Sequence, residues 1–133
     1  MATTEQTYPV IDRFLAGVEA GRLPDDLYAP DATLDATVPG WRFQAHGTDA
    51  IIAEYARWFS DPSRLRSVER QPIPFGEVVR YVQVAEAGAT AYTVHHMHLL
   101  TVADDQIVKD VVFCGGRWGS EALAQMGSAA HAD

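Results

Sequence analysis

Apolar side chains at Val10, Ile11, Phe14, Leu15 and Val18 recur at helical spacing and predict an amphipathic helix over Thr4 to Ala20. Pro9 is tolerated near its first turn and Gly21 is placed to end it. Pro24 to Tyr28 reads as one short helical turn that Ala29-Pro30-Asp31 breaks. From Ala32 to Val38 the pattern changes to alternation, with Ala32, Leu34, Ala36 and Val38 on one side and Thr33, Asp35 and Thr37 on the other. Pro39-Gly40 then turns the chain into a short returning strand at Trp41-Arg42-Phe43. Thr48-Asp49 offers a cap for a second helix whose inward positions are Ile51, Ile52, Tyr55, Trp58 and Phe59, until Asp61-Pro62 stops it.

From Leu65 onward period two dominates. Leu65–Phe75, Glu77–Glu86, Ala91–Val102 and Gln106–Cys114 read as four strands, with turns at Ala87-Gly88-Ala89 and Asp104-Asp105. Pro72 and Pro74 make the first irregular or an edge strand. Glu121, Leu123 and Met126 fit a last short helix, and residues 127–133 a frayed tail. Helices followed by successive strands predict an α+β fold, a curved antiparallel sheet over helices.

Composition narrows the function classes. At 133 residues, 47% of them hydrophobic, the chain suits one domain, 1–133, with a real core. A formal charge of −8 without clustered cations argues against nucleic acid and against an anionic membrane surface. No run approaches the roughly 20 apolar residues of a membrane helix. Cys114, the single cysteine, cannot form an internal disulfide, and MATTEQTYPV lacks a secretory pattern, so a cytoplasmic setting is expected.

The candidate chemistry lies between Ala91 and Gly116. Tyr92, Val94, His96, His98, Leu100 and Val102 share one side of the first arm; Val108, Asp110, Val112 and Cys114 share one side of the second. If the rows face the same way, two imidazoles and a carboxylate converge on an apolar surface, the usual composition of a small-molecule pocket. A carboxylate beside an imidazole fixes its tautomer for proton transfer, while the plainer reading is that these groups satisfy buried partners.

The order helix, LYAPDATLDATVPGW, helix and antiparallel strands ending in QIVKDVVF resembles the SnoaL-like group of the nuclear transport factor 2-like superfamily over nearly the whole chain. The most family-like pieces are Tyr28-Ala29-Pro30-Asp31-Ala32-Thr33 and Asp105-Gln106-Ile107-Val108. The resemblance implies a conical sheet of the cystatin-like α+β barrel type, enclosing a pocket closed by helices. Its members include ketosteroid isomerases, polyketide cyclases, scytalone dehydratase and limonene epoxide hydrolase, with binding modules that catalyse nothing. Aligned on this resemblance, the isomerase's oxyanion tyrosine falls at Phe14, its general-base aspartate at Ala36 and its second acid at His98. The epoxide hydrolase's arginine and two aspartates fall at Val82, Val84 and Val112. Neither standard site is present. A histidine pair with a carboxylate resembles the dehydratase in kind.

These readings converge on a small-molecule enzyme using acid-base chemistry without a cofactor, for isomerisation, cyclisation or dehydration of an apolar polyketide-, terpenoid- or steroid-like compound. His98 is the candidate acid/base or oxyanion donor, His96 its partner and Asp110 the orienting carboxylate, with Phe14, Trp41, Tyr55, Trp58, Val82, Val84, Val94, Val112 and Cys114 as pocket wall. His96 and His98 offer a metal two ligands and no dependable third, so no metal is expected. Cys114 is a small buried hydrophobe more readily than a nucleophile. The alternative is a binding or dimerisation module of the same fold. Met97, Leu99, Ile107, Val111 and Phe113 face outward in this reading and imply a homodimer through the sheet.

Overall fold

The computed structural model describes residues 7–85 and 91–126. Its elements are α1 (Pro9–Ala20), β1 (Tyr28–Val38), β2 (Trp41–His46), α2 (Thr48–Trp58), β3 (Arg64–Ile73), β4 (Gly76–Ala85), β5 (Tyr92–Ala103), β6 (Gln106–Trp118) and α3 (Ser120–Met126). The strands form one curved, unclosed sheet in the order β2-β1-β6-β5-β4-β3. The α+β expectation holds. The sheet is mixed rather than wholly antiparallel, because β1 runs parallel to β6.

Val10, Ile11, Phe14 and Val18 of α1 are buried, the stripe that its spacing predicts. Gly21 ends the helix at φ 77°, and a side chain there would lie 2.5 Å from the Ser60 carbonyl oxygen. An ion pair between buried Glu77 and half-buried Arg70 helps fix α1 against the sheet. Glu77 is paired with the Arg70 guanidinium through both carboxylate oxygens, at 2.7 and 2.9 Å, and also accepts the Tyr8 backbone N–H at 3.0 Å.

Several local readings change. Asp25-Asp26 is a turn, and Ala29-Pro30-Asp31 belongs to β1, whose register against β6 shifts between Tyr28 and Thr33. An irregular pairing accommodates a proline that has no N–H to give. Thr48 does not cap α2; its hydroxyl donates instead to the backbone carbonyls of Tyr28 and Ala29, and Gly47 takes the N-cap position. Trp41-Arg42-Phe43 is part of the longer β2, where Arg42 pairs with Asp35 at 2.8 Å. β3 is an edge strand, as its prolines predict. The Ala87-Gly88-Ala89 turn and the 127–133 tail lie outside the described residues.

The hairpin of β5 and β6 decides the site. Asp104 and Asp105, at φ 53° and 58°, form the two-residue turn. Counting straight back from Ala103↔Gln106 would set Asp110 opposite Leu99, on the outer face. A bulge intervenes: Val102 pairs with Ile107 but Thr101 pairs with Lys109, so Val108 is the extra residue and Asp110 lies opposite Leu100. This reverses two expectations. Ile107 is fully buried in the core and leaves the outer patch, while Val108 only packs against the core's margin. A second irregularity, where Gly116 takes φ 95°, carries β6 on to Trp118 beyond its expected end at Cys114 and pairs Arg117 with Val94.

Candidate active site

The inward row of β5 supplies His96 and His98, and that of β6 supplies Asp110, Val112 and Cys114, as the alternation predicts. β4 is different. Val82 and Val84 pair with His95 and Thr93, on the opposite face from His96 and Val94, so they do not line the pocket. The inward positions are Tyr81 and Gln83, which pair with His96 and Val94. Alternation in β4 is masked by valines of both parities and by Glu77, a charge that points inward to Arg70. Exposed Arg80 carries the correct parity signal, marking 80, 82 and 84 as one side.

Asp110 is the buried centre. Its Oδ1 accepts from His98 Nδ1 at 2.9 Å, and its Oδ2 accepts from the Tyr28 hydroxyl at 2.7 Å and the Tyr55 hydroxyl at 2.6 Å. Burial alone would raise the Asp110 pKa, but the adjacent His98 and the three hydrogen bonds outweigh it and hold the carboxyl below its ordinary value. Tyr28, Tyr55 and Tyr81 are pushed well above the usual phenol range, first by burial and next by the Asp110 charge, so all three keep their protons. A carboxylate that can only accept requires His98 to carry a proton on Nδ1. In the neutral imidazole Nε2 is then an acceptor, and the Tyr81 hydroxyl donates to it at 3.0 Å. The result is a chain from Asp110 through His98 to Tyr81. Phe14 meets the His98 ring edge-on at a centroid distance of 5.0 Å and holds it from the core side.

Two cavities meet this network. The larger, about 680 Å³, is lined by His98, His96, Tyr55, Val112 and Cys114, with Trp41, Trp58 and Arg117 among its other walls. The smaller, about 230 Å³, lies toward α1 and is lined by Tyr81, Gln83 and His96 with Ile52 and Gly17. Tyr55, Phe59 and His96 belong to both. Of the expected wall residues, Trp41, Tyr55, Trp58, Val112 and Cys114 line the larger cavity, whereas Phe14 and Val94 pack in the hydrophobic clusters without lining either. Burial pushes the Cys114 thiol up, away from the thiolate a nucleophile needs. Among the described residues no group of three or more His, Cys, Asp or Glu is arranged to hold a metal ion.

His96 differs from His98. Its ring stands 5.9 Å from His98 centroid to centroid, edge to face, and its Nδ1 has no hydrogen-bond partner among the described residues. Burial, then the neighbouring His98, lowers its pKa from 6.5 to about 3. His96 is therefore neutral in the folded protein at pH 7 and a weak base. Between about pH 6.5 and pH 3 the unfolded chain binds a proton there that the folded chain refuses, so stability falls as the solution is acidified through that range. Urea unfolding at pH 7 and pH 5 is expected to show His96→Phe losing about 2 kcal/mol less than the wild type on acidification. Equal losses would mean that His96 is protonated in the folded state.

The SnoaL-like domain family matches residues 11–109. Among solved structures, a hypothetical protein with a ketosteroid isomerase-like fold from Catenulispora acidiphila DSM 44928, in complex with trimethylamine, superposes with a TM-score of 0.66. It is 16% identical, over 92% of this chain and 95% of that one. A putative isomerase from Bacillus subtilis superposes at 0.65 with 12% identity, over 80% and 84%. An LEH-like epoxide hydrolase from M. tuberculosis superposes at 0.55 with 11% identity, over 79% of each chain. No match is found among curated proteins. At these identities the solved structures speak for the fold alone. No helix among the described residues is long and apolar enough to cross a membrane. With the family match spanning most of the sheet and both larger helices, the chain belongs to the SnoaL-like family, of ketosteroid isomerase-like fold.

Proposed function

We propose that the protein is an isomerase-type enzyme that moves protons on a largely apolar small molecule, of polyketide, terpenoid or steroid kind, without a cofactor. The observation that carries this reading is the buried chain Asp110, His98, Tyr81, whose far end reaches a cavity wall. When a substrate proton passes to the Tyr81 oxygen, the Tyr81 hydroxyl proton passes to His98 Nε2, and the resulting imidazolium is paired with Asp110. The reverse passage returns a proton to another atom of the substrate, so the chain ends as it began. No tyrosinate has to accumulate, which suits a phenol whose pKa is raised. His96, neutral and lining both cavities, serves as a hydrogen-bonding wall rather than as the catalytic partner of His98 that the sequence suggests.

One observation favours the second reading, a binding module: both nitrogens of His98 are already engaged by protein groups, as in a static core network. Deuterium uptake separates the two without knowledge of the natural substrate. A panel of cyclic ketones of one to four rings is incubated in deuterium oxide and read by mass spectrometry. An enzyme of this type exchanges the hydrogen next to the carbonyl of a ligand that fits, whereas a binding module binds and releases it unlabelled.

The assembly we propose is a homodimer through the outer face of the sheet. Met97 pairs with Phe113 and Leu99 with Val111 at the centre of that face, and Met97, Leu99 and Phe113 are exposed. A second copy presents the same patch and covers it by two-fold symmetry. Sedimentation at micromolar concentration should give a dimer that Phe113→Glu converts to monomer. A wild-type monomer under those conditions contradicts the proposal.

A further inference from the structure

Two polar atoms deep in the fold have no hydrogen-bond partner among the described residues and belong to side chains lining the same space. Gln83 Oε1 and His96 Nδ1 are both in this state, although Gln83 is fully buried and His96 is 5% exposed. The other end of the Gln83 amide is fixed, because its Nε2 donates to Ser63 Oγ at 3.0 Å. Exchanging the amide's oxygen and nitrogen would transfer the deficit to the other atom without removing it. Each unmade bond of this kind is costly in a buried setting, and native proteins keep few of them. Here both side chains line the chamber of about 230 Å³ between α1, α2 and the sheet.

We propose that this chamber is a hydroxyl-recognition subsite, in which Gln83 Oε1 and His96 Nδ1 engage the hydroxyl of a phenol or alcohol. A hydroxyl is the complementary group because it donates once and accepts as well, so it can give its proton to the Gln83 carbonyl oxygen and accept from His96 when that neutral imidazole carries its proton on Nδ1. A carboxylate suits the pair less well, since it has nothing to donate to the Gln83 carbonyl oxygen, and the chamber's lining carries one charge of each sign, Asp25 and Arg22. The apolar remainder of the chamber, including Val18, Leu23 and Ile52, suits a ring carrying that hydroxyl. This inference rests on the reading of the cavities as small-molecule sites and narrows the ligand to a hydroxylated apolar compound. The substrate's hydroxyl would be held on the same wall as Tyr81, beside the end of the proton chain.

Phenol and toluene, alike in shape and different in the hydroxyl, are the probes. Both are titrated into the isotope-labelled wild-type protein, Gln83→Leu and His96→Phe, with affinities taken from the amide shifts of Gly17, Gly21 and Ile52. Toluene corrects each variant for packing changes. The phenol-to-toluene affinity ratio is expected to fall about tenfold in Gln83→Leu and to fall also in His96→Phe. A ratio unchanged in both variants, or phenol shifts confined to the larger cavity, overturns the subsite. Because only binding is read, the result stands whether or not the protein turns over any ketone.

Discussion

Replacing Asp110 with alanine is expected to cost about 4 kcal/mol or more, a large share of the roughly 5–15 kcal/mol that holds a domain folded. The side chain is fully buried and accepts three hydrogen bonds, from Tyr28, Tyr55 and His98. Alanine leaves all three donors without an acceptor, at about 1–3 kcal/mol for each buried group, and opens a small cavity as well. Asp110→Asn separates the network from simple packing. Its amide oxygen can still accept both tyrosine hydroxyls, and its NH₂ can donate to His98 Nδ1 if the imidazole proton moves to Nε2. That costs the Tyr81 hydroxyl its present acceptor. The asparagine variant should therefore lose roughly half of what alanine loses, about 2 kcal/mol, in urea unfolding followed by tryptophan fluorescence. An alanine variant within 1 kcal/mol of the wild type would show that the three donors find water and that Asp110 does not organise the core.

The second large effect concerns proton movement. On any ketone that the wild type labels, His98→Ala is expected to lower deuterium uptake by about 10²-fold or more, the range for a positioned acid-base group. Tyr81→Phe should lower it comparably, because phenylalanine keeps the ring against His96 and His98 and removes only the hydroxyl that completes the chain. His98→Gln keeps a hydrogen-bond donor but cannot titrate near neutrality. It should therefore behave like alanine if His98 receives a proton, and like the wild type if His98 only donates a hydrogen bond to an oxyanion. Uptake retained in Tyr81→Phe with loss in His98→Ala would mean that His98 meets the ligand directly, with Tyr81 displaced. Ligand affinity measured beside the rate keeps a binding defect from passing for a chemical one.

Sequence alone reached the hairpin, its turn and the inward row of β5, because strict alternation on a half-buried strand can be read without partners. It reached Asp110 by assuming that the two rows face together. What makes them do so is the extra residue Val108, and a bulge has no alternation of its own to announce it; the same bulge buried Ile107, which was expected outside. The Asp110 partners lie further from legibility. Tyr28 is 82 residues away from Asp110 and reaches it only through the parallel pairing of β1 with β6, which no local pattern encodes. Tyr81 and Gln83 were hidden by a β4 that is apolar on both sides, where a shift of one residue sent Val82 and Val84 to the pocket instead. Helical spacing marks Tyr55 as wall, and its hydroxyl also donates to Asp110, a role that periodicity does not distinguish.

The position of the His98 proton decides whether the chain from Asp110 to Tyr81 can carry a proton. An ionised Asp110 at 2.9 Å from Nδ1 fixes it there and leaves Nε2 to exchange with Tyr81. Long-range proton–nitrogen correlation of the histidine side chains, recorded at alkaline pH where imidazoles are neutral, reads that tautomer directly. The expected spectrum assigns to His98 a protonated Nδ1 and an unprotonated Nε2, with the Nδ1 pattern lost in Asp110→Asn. A neutral His98 with its proton on Nε2 in the wild type would contradict the account, because Asp110 could not then be the acceptor that the proton chain requires.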